Sequence, residues 1–256
     1  MIEAILLGIL QGLTEFLPVS SSGHILLVQK ILTNNFDLPL MISIHMGTAL
    51  AILIYFRHRI KQVLYALIKI ADNSYKQERT LWKYLILASI PAAIAGFLIE
   101  PKIDQISSVT LVSVCWIING LILILGEIIN QKKAKDIPIN SISSLVIGIS
   151  QAIAILPGIS RSGITIITGK NTGLKSDTAF EFSFFLGIIA ISGGLILELM
   201  KNPQGFNFTS MIGGITGMIT GYAALVILSK TVYSNKMKWF GLYTIIAGII
   251  TLLVKV

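Results

Sequence analysis

Gly8 to His24 reads GILQGLTEFLPVSSSGH, an apolar run with one carboxylate, Glu15, that breaks at Pro18 into three serines, a glycine and His24. A carboxylate, hydroxyls beside a glycine and an imidazole are the groups that move protons and attack electrophilic centres. No lysine or arginine stands within ten residues of Glu15, so ionising it in apolar surroundings requires a partner from elsewhere in the chain. Gly148 to Thr165, GISQAIAILPGISRSGIT, supplies Arg161, the only arginine besides Arg57, Arg59 and Arg79. A guanidinium next to backbone N–H groups at a helix start is a good anion site, and phosphate suits it.

The two stretches are related. A shift of 140 positions pairs Gly8 with Gly148, Gln11 with Gln151, Ser20 with Ser160, Ser22 with Ser162 and Gly23 with Gly163. The same register aligns Lys30 with Lys170, Asp37 with Asp177, Ser43 with Ser183 and Gly47 with Gly187. With Ile9 and Ile149 this makes ten identities in forty positions, the mark of an internal duplication. Ser21 of the first copy faces Arg161 of the second, so one motif exists in two chemically specialised versions.

The elements that must position these residues are membrane helices. Over the 256 residues, 54% are hydrophobic and 12% charged, against roughly 25% charged in a soluble domain. The net charge of +8 fits an anionic membrane surface and not nucleic acid. Cys115 is the only cysteine, which excludes an intrachain disulfide and a thiolate metal cluster. Glu3 is the only charge before Glu15, unlike the basic start of a signal peptide, so the first apolar run is expected to be retained.

Six stretches reach the length of a span, about 20 apolar residues with about 17 as a lower limit: Leu40 to Phe56, Leu81 to Ile99, Val109 to Ile129, Thr178 to Met200, Phe208 to Leu228 and Trp239 to Val254. In residues 2–33 and 141–173 shorter apolar pieces flank proline and Ser-Gly breaks, and each region reads as a re-entrant hairpin of two half-helices. The expected fold is an all-α integral membrane protein, one domain over residues 1–256. Repeat one covers about 1–130 and repeat two about 141–256. Three spans between the hairpins put them on opposite faces, so the repeat is inverted.

Arg57, Arg59, Lys61, Lys69, Lys76, Arg79 and Lys83 follow the first span, Lys132, Lys133 and Lys135 the third, and Lys230, Lys236 and Lys238 the fifth, while the alternate loops hold only Lys102 and Lys201. The positive-inside tendency then places both termini on the extracytoplasmic side. The hairpin tips would meet near the middle of the protein, bringing Glu15, Ser20, Ser21, Ser22 and His24 to Ser160, Arg161, Ser162 and Thr165.

QGLTEFLPVSSSGH followed at this distance by PGISRSGIT, with EFSF at Glu181 to Phe184, resembles the undecaprenyl-diphosphatases, also called bacitracin-resistance proteins, over nearly the whole chain. The resemblance implies a multi-pass enzyme of the bacterial plasma (inner) membrane. It would take the terminal phosphate from undecaprenyl diphosphate and return undecaprenyl phosphate, the lipid carrier reused for cell-wall precursors. By motif position it implies Glu15, Ser21, His24 and Arg161 as the catalytic set, with Gln11, Ser20, Ser22, Gln151, Ser160, Ser162 and Thr165 around the substrate. It also implies dependence on a divalent cation, Mg or Ca, with Glu15 as the ligand. Many members carry glutamate where this chain has Gln11, so a two-carboxylate metal site is in question here.

Phosphoryl transfer needs positioning and charge neutralisation. Arg161 would clamp the diphosphate and Ser21 is the candidate nucleophile. His24, three residues on, could take its proton or activate water. Glu15 orients the histidine, acts as base or holds a cation, and direct attack by water stays open. Plainer roles stand beside these. A serine run before glycine is also a helix cap, and Gln11 and Gln151 could bridge helices in lipid. His45 is expected to pack or bridge helices, and His58 to be solvated in a basic loop. Glu181 fits a capping box, Thr178-Ala-Phe-Glu181, and Glu127 and Glu198, near span ends, need no special role. An inverted-repeat transporter or polyprenyl-phosphate flippase is the rival to the enzyme. Besides membrane lipids and the prenyl substrate, a homodimer is the one partner entertained.

Overall fold

A computed structural model describes residues 1–32, 36–131, 136–201 and 205–254. Among these the secondary structure is eleven α-helices and one 3-10 turn, with no strand. Helices satisfy their own backbone groups, which apolar surroundings demand. Helices α1 (Ile2–Phe16) and α2 (Ser21–Leu32) flank the first serine-rich break, and α7 (Ser141–Ile153) and α8 (Arg161–Asn171) flank the second. Between them run α3 (Leu38–Tyr55), α4 (Arg57–Ile68), α5 (Lys76–Ile106) and α6 (Val109–Gln131); α9 (Ser176–Lys201), α10 (Phe208–Tyr233) and α11 (Lys238–Val254) follow.

Five helices, α3, α5, α6, α9 and α10, are long and apolar enough to cross a membrane. The sixth expected span, α11, is apolar but shorter at 17 residues. Most of the basic segment after the first span is not a loop. Arg57 to Ile68 is helical because it consists largely of good helix formers, with Val63 and Ala66 buried and Arg57, His58 and Lys61 exposed. Lys132, Lys133 and Lys135 lie outside the described residues, as do the last residue of the 2–33 hairpin and the final two of repeat two.

Two carboxylates serve differently from expectation. Helix α9 begins at Ser176, which leaves Glu181 beyond its first turn and unable to close a box with Thr178. Instead Glu181 Oε1 accepts from Arg59 Nε at 2.9 Å, and the same guanidinium donates through Nη1 to Glu78 Oε1 at 2.7 Å. The capping boxes are at Asn140 with Ser143 and Asn207 with Ser210, opening α7 and α10. Glu127 is almost fully buried and accepts from the backbone N–H groups of Met237 and Lys238 at 3.0 and 2.9 Å. It therefore caps α11 from a neighbouring helix, where a negative charge suits the N-terminal dipole. His45 donates from Nδ1 to Met41 O, 2.8 Å away in its own helix.

Close helix approach rests on small residues, as is usual where apolar helices pack. A Cβ on Gly8 would meet the Gly213 carbonyl of α10 at 2.6 Å, and one on Gly148 would collide with the Ala88 carbonyl of α5. Beside the first break, Phe16 packs edge-on against Phe184 at 5.6 Å, and Phe184 against Phe180 at 4.8 Å. These rings continue into the main core through Phe56 and Phe185, so a rigid apolar layer lies next to Glu15.

Candidate active site

The first break begins where Pro18 disfavours helical geometry in Leu17, whose ψ is 143°. Val19 N–H donates to Leu17 O at 2.7 Å and Ser20 takes a left-handed φ of 68°. That conformation is costly for a residue with a Cβ and is held only where surrounding bonds enforce it. Here Ser20 Oγ accepts from Gly23 N at 3.4 Å and from Gly158 N of the second break at 3.0 Å. In the second break Gly158 has φ 102°, and Ser160 caps α8 by accepting from Gly163 N at 3.2 Å. The Ser20–Ser22 and Ser160–Ser162 hydroxyl pairs are both 3.2 Å apart. The paired residues therefore repeat the hydroxyl bonding, while their backbones differ, Ser20 being left-handed and Ser160 extended at φ −82°.

Glu15, at the end of α1, is the hub. Its Oε2 accepts from Ser21 Oγ at 2.6 Å and from Gln11 Nε2 at 2.9 Å, while Oε1 accepts from Arg161 Nη2 at 3.3 Å. The side chains of Arg161 and Glu15 are only 16% and 12% exposed, so each ion would be expensive to bury without the other. Arg161 Nη1 also donates to Ser183 O at 3.5 Å, and its guanidinium rests against Gly187 so closely that no Cβ fits there.

Glu15, Ser20, Ser21, Ser22, Ser160 and Arg161 line one cavity of about 110 Å³, with Thr14, Ala154 and Ile159 completing the wall. The N-termini of α2 and α8 both open onto it, since Ser21 and Arg161 are their first residues. The remaining expected residues stand outside the wall. Gln11 reaches the cavity only through Glu15. Ser162 Oγ donates to Phe16 O at 2.9 Å, tying the second break to α1. Thr165 Oγ1 exchanges a hydrogen bond with Ser183 Oγ at 2.6 Å and so docks α8 on α9. Gln151 is buried, with no partner for Oε1 among the described residues.

His24 begins one turn after Ser21, as the spacing implies, but its ring turns away. Nδ1–H donates to Ser20 O at 2.7 Å, which leaves Nε2 to accept from Tyr243 O–H at 2.8 Å. The ring is held between Trp116 and Tyr243, with centroids at 4.8 and 5.9 Å. The group that receives the Ser21 hydroxyl is therefore Glu15, and the carboxylate orients the serine and not the imidazole.

A resident divalent cation does not fit this donor set. Glu15 is the only carboxylate in the wall, and its oxygens are engaged by Ser21, Gln11 and Arg161. Among the described residues no three His, Cys, Asp or Glu side chains converge.

Residues that sequence reasoning passed over complete the site. Asn119 and Trp116 of α6 bond the first break, Tyr243 holds His24, and Ser183 and Gly187 seat Arg161. Asn119 carried a usable signal as an amide inside an apolar span, whereas Gly187 carried only its pairing with Gly47.

Comparison with known proteins gives the family. Residues 4–250 match the family model described as "Bacitracin resistance protein BacA". A protein of Methanococcus maripaludis named undecaprenyl-diphosphatase is 35% identical, covering 98% of this chain and 99% of its own. One of the same name from Persephonella marina is 36% identical over 98% of each chain, and undecaprenyl-diphosphatase 1 of Burkholderia pseudomallei is 34% identical over 97% of this chain and 94% of its own. The duplicated serine motifs and the carboxylate–guanidinium pair they bring together thus sit in a member of the bacitracin resistance protein BacA family.

Proposed function

We propose that this chain is the enzyme its relatives are named for, hydrolysing undecaprenyl diphosphate to undecaprenyl phosphate and inorganic phosphate. This regenerates the carrier for peptidoglycan precursors and, as the family description implies, gives bacitracin resistance. The observation that carries this reading is the Ser21–Glu15–Arg161 constellation lining a single cavity. In the first step the Ser21 oxygen bonds to the terminal phosphorus and its proton passes to Glu15 Oε2. The bond between that phosphorus and the bridging oxygen breaks, and undecaprenyl phosphate leaves with the oxygen. Glu15 returns that proton to the departing undecaprenyl phosphate, water then attacks the phosphoserine and gives its proton to Glu15, and Glu15 passes it to Ser21 Oγ as phosphate departs. Arg161 and the two helix N-termini neutralise the equatorial oxygens.

Binding uses the long Arg161–Glu15 contact. A diphosphate oxygen offers the guanidinium a stronger partner than one carboxylate oxygen at 3.3 Å, so Arg161 can turn to substrate and leave Glu15 to Ser21. His24, bonded to Ser20 O and Tyr243, stands outside the wall and braces the first break.

The same reading places the chain in the plasma membrane with six spans, α11 included, and two re-entrant hairpins in an inverted repeat, both termini outside. Exchanged packing supports it. The first hairpin, through Gly8, meets α10 of the second repeat, and the second, through Gly148, meets α5 of the first. Phosphate release from undecaprenyl diphosphate by the purified protein in detergent tests the activity. Transport of the lipid in vesicles with no phosphate released would favour the flippase instead.

A further inference from the structure

We propose that Asn119, in the middle of α6, is the positioning residue that sets Glu15 and Arg161 relative to each other by holding both chain breaks through one amide. The inference rests on the site reading above. Asn119 is fully buried. Its Nδ2–H donates to Pro18 O at 3.1 Å, and its Oδ1 accepts from Ser160 N–H at 2.9 Å. Pro18 comes three residues after Glu15, and Ser160 immediately precedes Arg161. One planar side chain therefore sits between the backbone that carries the carboxylate and the backbone that carries the guanidinium.

The chemistry of the breaks explains why an amide is needed. Pro18 O lies beyond the end of α1, and Ser160 N–H lies before the start of α8, so neither bonds within those helices. At membrane depth each must find a partner in protein. One group asks for a donor and the other for an acceptor, and a primary amide offers both on a short stem. Trp116, one turn earlier on α6, supports the same surface by donating from Nε1 to Val19 O at 3.0 Å. The breaks also touch directly, through Ser20 Oγ with Gly158 N and Ser162 Oγ with Phe16 O. Those bonds move with the breaks, whereas Asn119 comes from a third element and references both to α6. It does not line the cavity, so it acts on the reaction only through position.

The test is phosphate release from undecaprenyl diphosphate by purified Asn119→Leu and Asn119→Asp in detergent, across pH, with thermal midpoints measured alongside. Misplacement of about 1 Å costs on the order of 100-fold in rate, and Asn119→Leu is expected to lose about that much kcat. Asn119→Asp discriminates position from general damage. Protonated, its carboxyl donates to Pro18 O and accepts from Ser160 N–H as the amide does; ionised, it has no donor and repels the carbonyl. Its activity should approach wild type at acid pH and fall, reversibly, as pH rises, a limb absent from the wild type.

A folded Asn119→Leu with wild-type kcat overturns the proposal. Should Asn119→Leu fail to fold, the Asn119→Asp profile decides, and one that follows wild type from about pH 5 to about pH 9 overturns it. Glu15→Ala and Arg161→Ala are run beside these. If both stay active, the site reading falls and takes this inference with it. If both are inactive while the Asn119 variants turn over normally, only the positioning role is lost.

Discussion

Ser21 Oγ donates to Glu15 Oε2 at 2.6 Å across the first chain break, the shortest of the three side-chain contacts on that carboxylate. The pair is made because α1 stops at Phe16, one residue past Glu15 and just before Pro18, and α2 restarts at Ser21, so the chain folds the hydroxyl back over the acid. If Glu15 takes the serine proton, Glu15→Gln keeps the shape and loses the base. The expected result is a fall in kcat of about 10²- to 10⁴-fold, read by phosphate release. Ser21→Ala should fall at least as far, and its survival at near-normal rate would point to water as the attacking group.

Arg161 and Glu15 neutralise each other in a largely buried place. Breaking such a pair from one side costs about 3–5 kcal/mol, because the remaining ion stays buried without compensation. Arg161→Ala should therefore lower the thermal midpoint as well as abolish turnover. Adding Glu15→Gln to it should recover much of the stability and none of the activity. An additive loss in the double variant would show that the two side chains do not share their energetics.

Gly187 meets the Arg161 guanidinium, while Gly193 and Gly194 on the same helix have open space around them. A single methyl group at the first position must push the guanidinium away from Glu15, and Gly187→Ala is expected to cost about 100-fold in kcat. Gly193→Ala and Gly194→Ala should leave the rate unchanged. Equal effects at all three positions would mean that helix flexibility, and not contact with Arg161, is what the glycine provides.

Gln11 lies one turn before Glu15 and bonds it, behind a wall that holds a single carboxylate. Gln11→Glu would put two like charges side by side, an arrangement that raises a carboxyl pKa unless a cation joins them. The variant should show a steeper dependence on added Mg²⁺ or Ca²⁺ than the wild type, measured as rate against cation concentration in a chelator-buffered assay. Identical curves would count against Gln11 as the point that tunes cation demand.

Glu127 caps α11 through Met237 and Lys238, far in sequence from the catalytic wall and absent from it. Removing the acceptor from a buried N–H group such as that of Met237 costs about 1–3 kcal/mol, and the part-buried one of Lys238 loses its partner with it. Glu127→Leu should lower the thermal midpoint and leave kcat per folded molecule untouched. A fall in kcat without loss of stability would assign it to the reaction.

Much of this molecule is written in the order of its residues. Apolar runs of bilayer length must become helices, since no other local structure satisfies its own backbone in lipid. Pro18 and the Ser-Gly steps then mark where helices stop and restart, and a carboxylate with no nearby cation calls for Arg161. Pairing at a shift of 140 positions exposed the duplication without coordinates. These features are legible because they depend on composition, period and local chain chemistry.

What the sequence left undecided is which polar groups face each other, and the tertiary structure alone settled it. Spacing allowed His24 to reach Ser21, yet packing between Trp116 and Tyr243 turned its ring away, and Glu15 took the serine instead. Glu181 could have capped its own helix but found Arg59, 122 residues distant. Asn119 sits in an apolar run, and only the fold brings two breaks, at Pro18 and Ser160, together on it. A hydrogen bond is satisfied by angle and distance within a few tenths of an ångström, and those are fixed by how helices far apart in sequence pack, which no local pattern encodes.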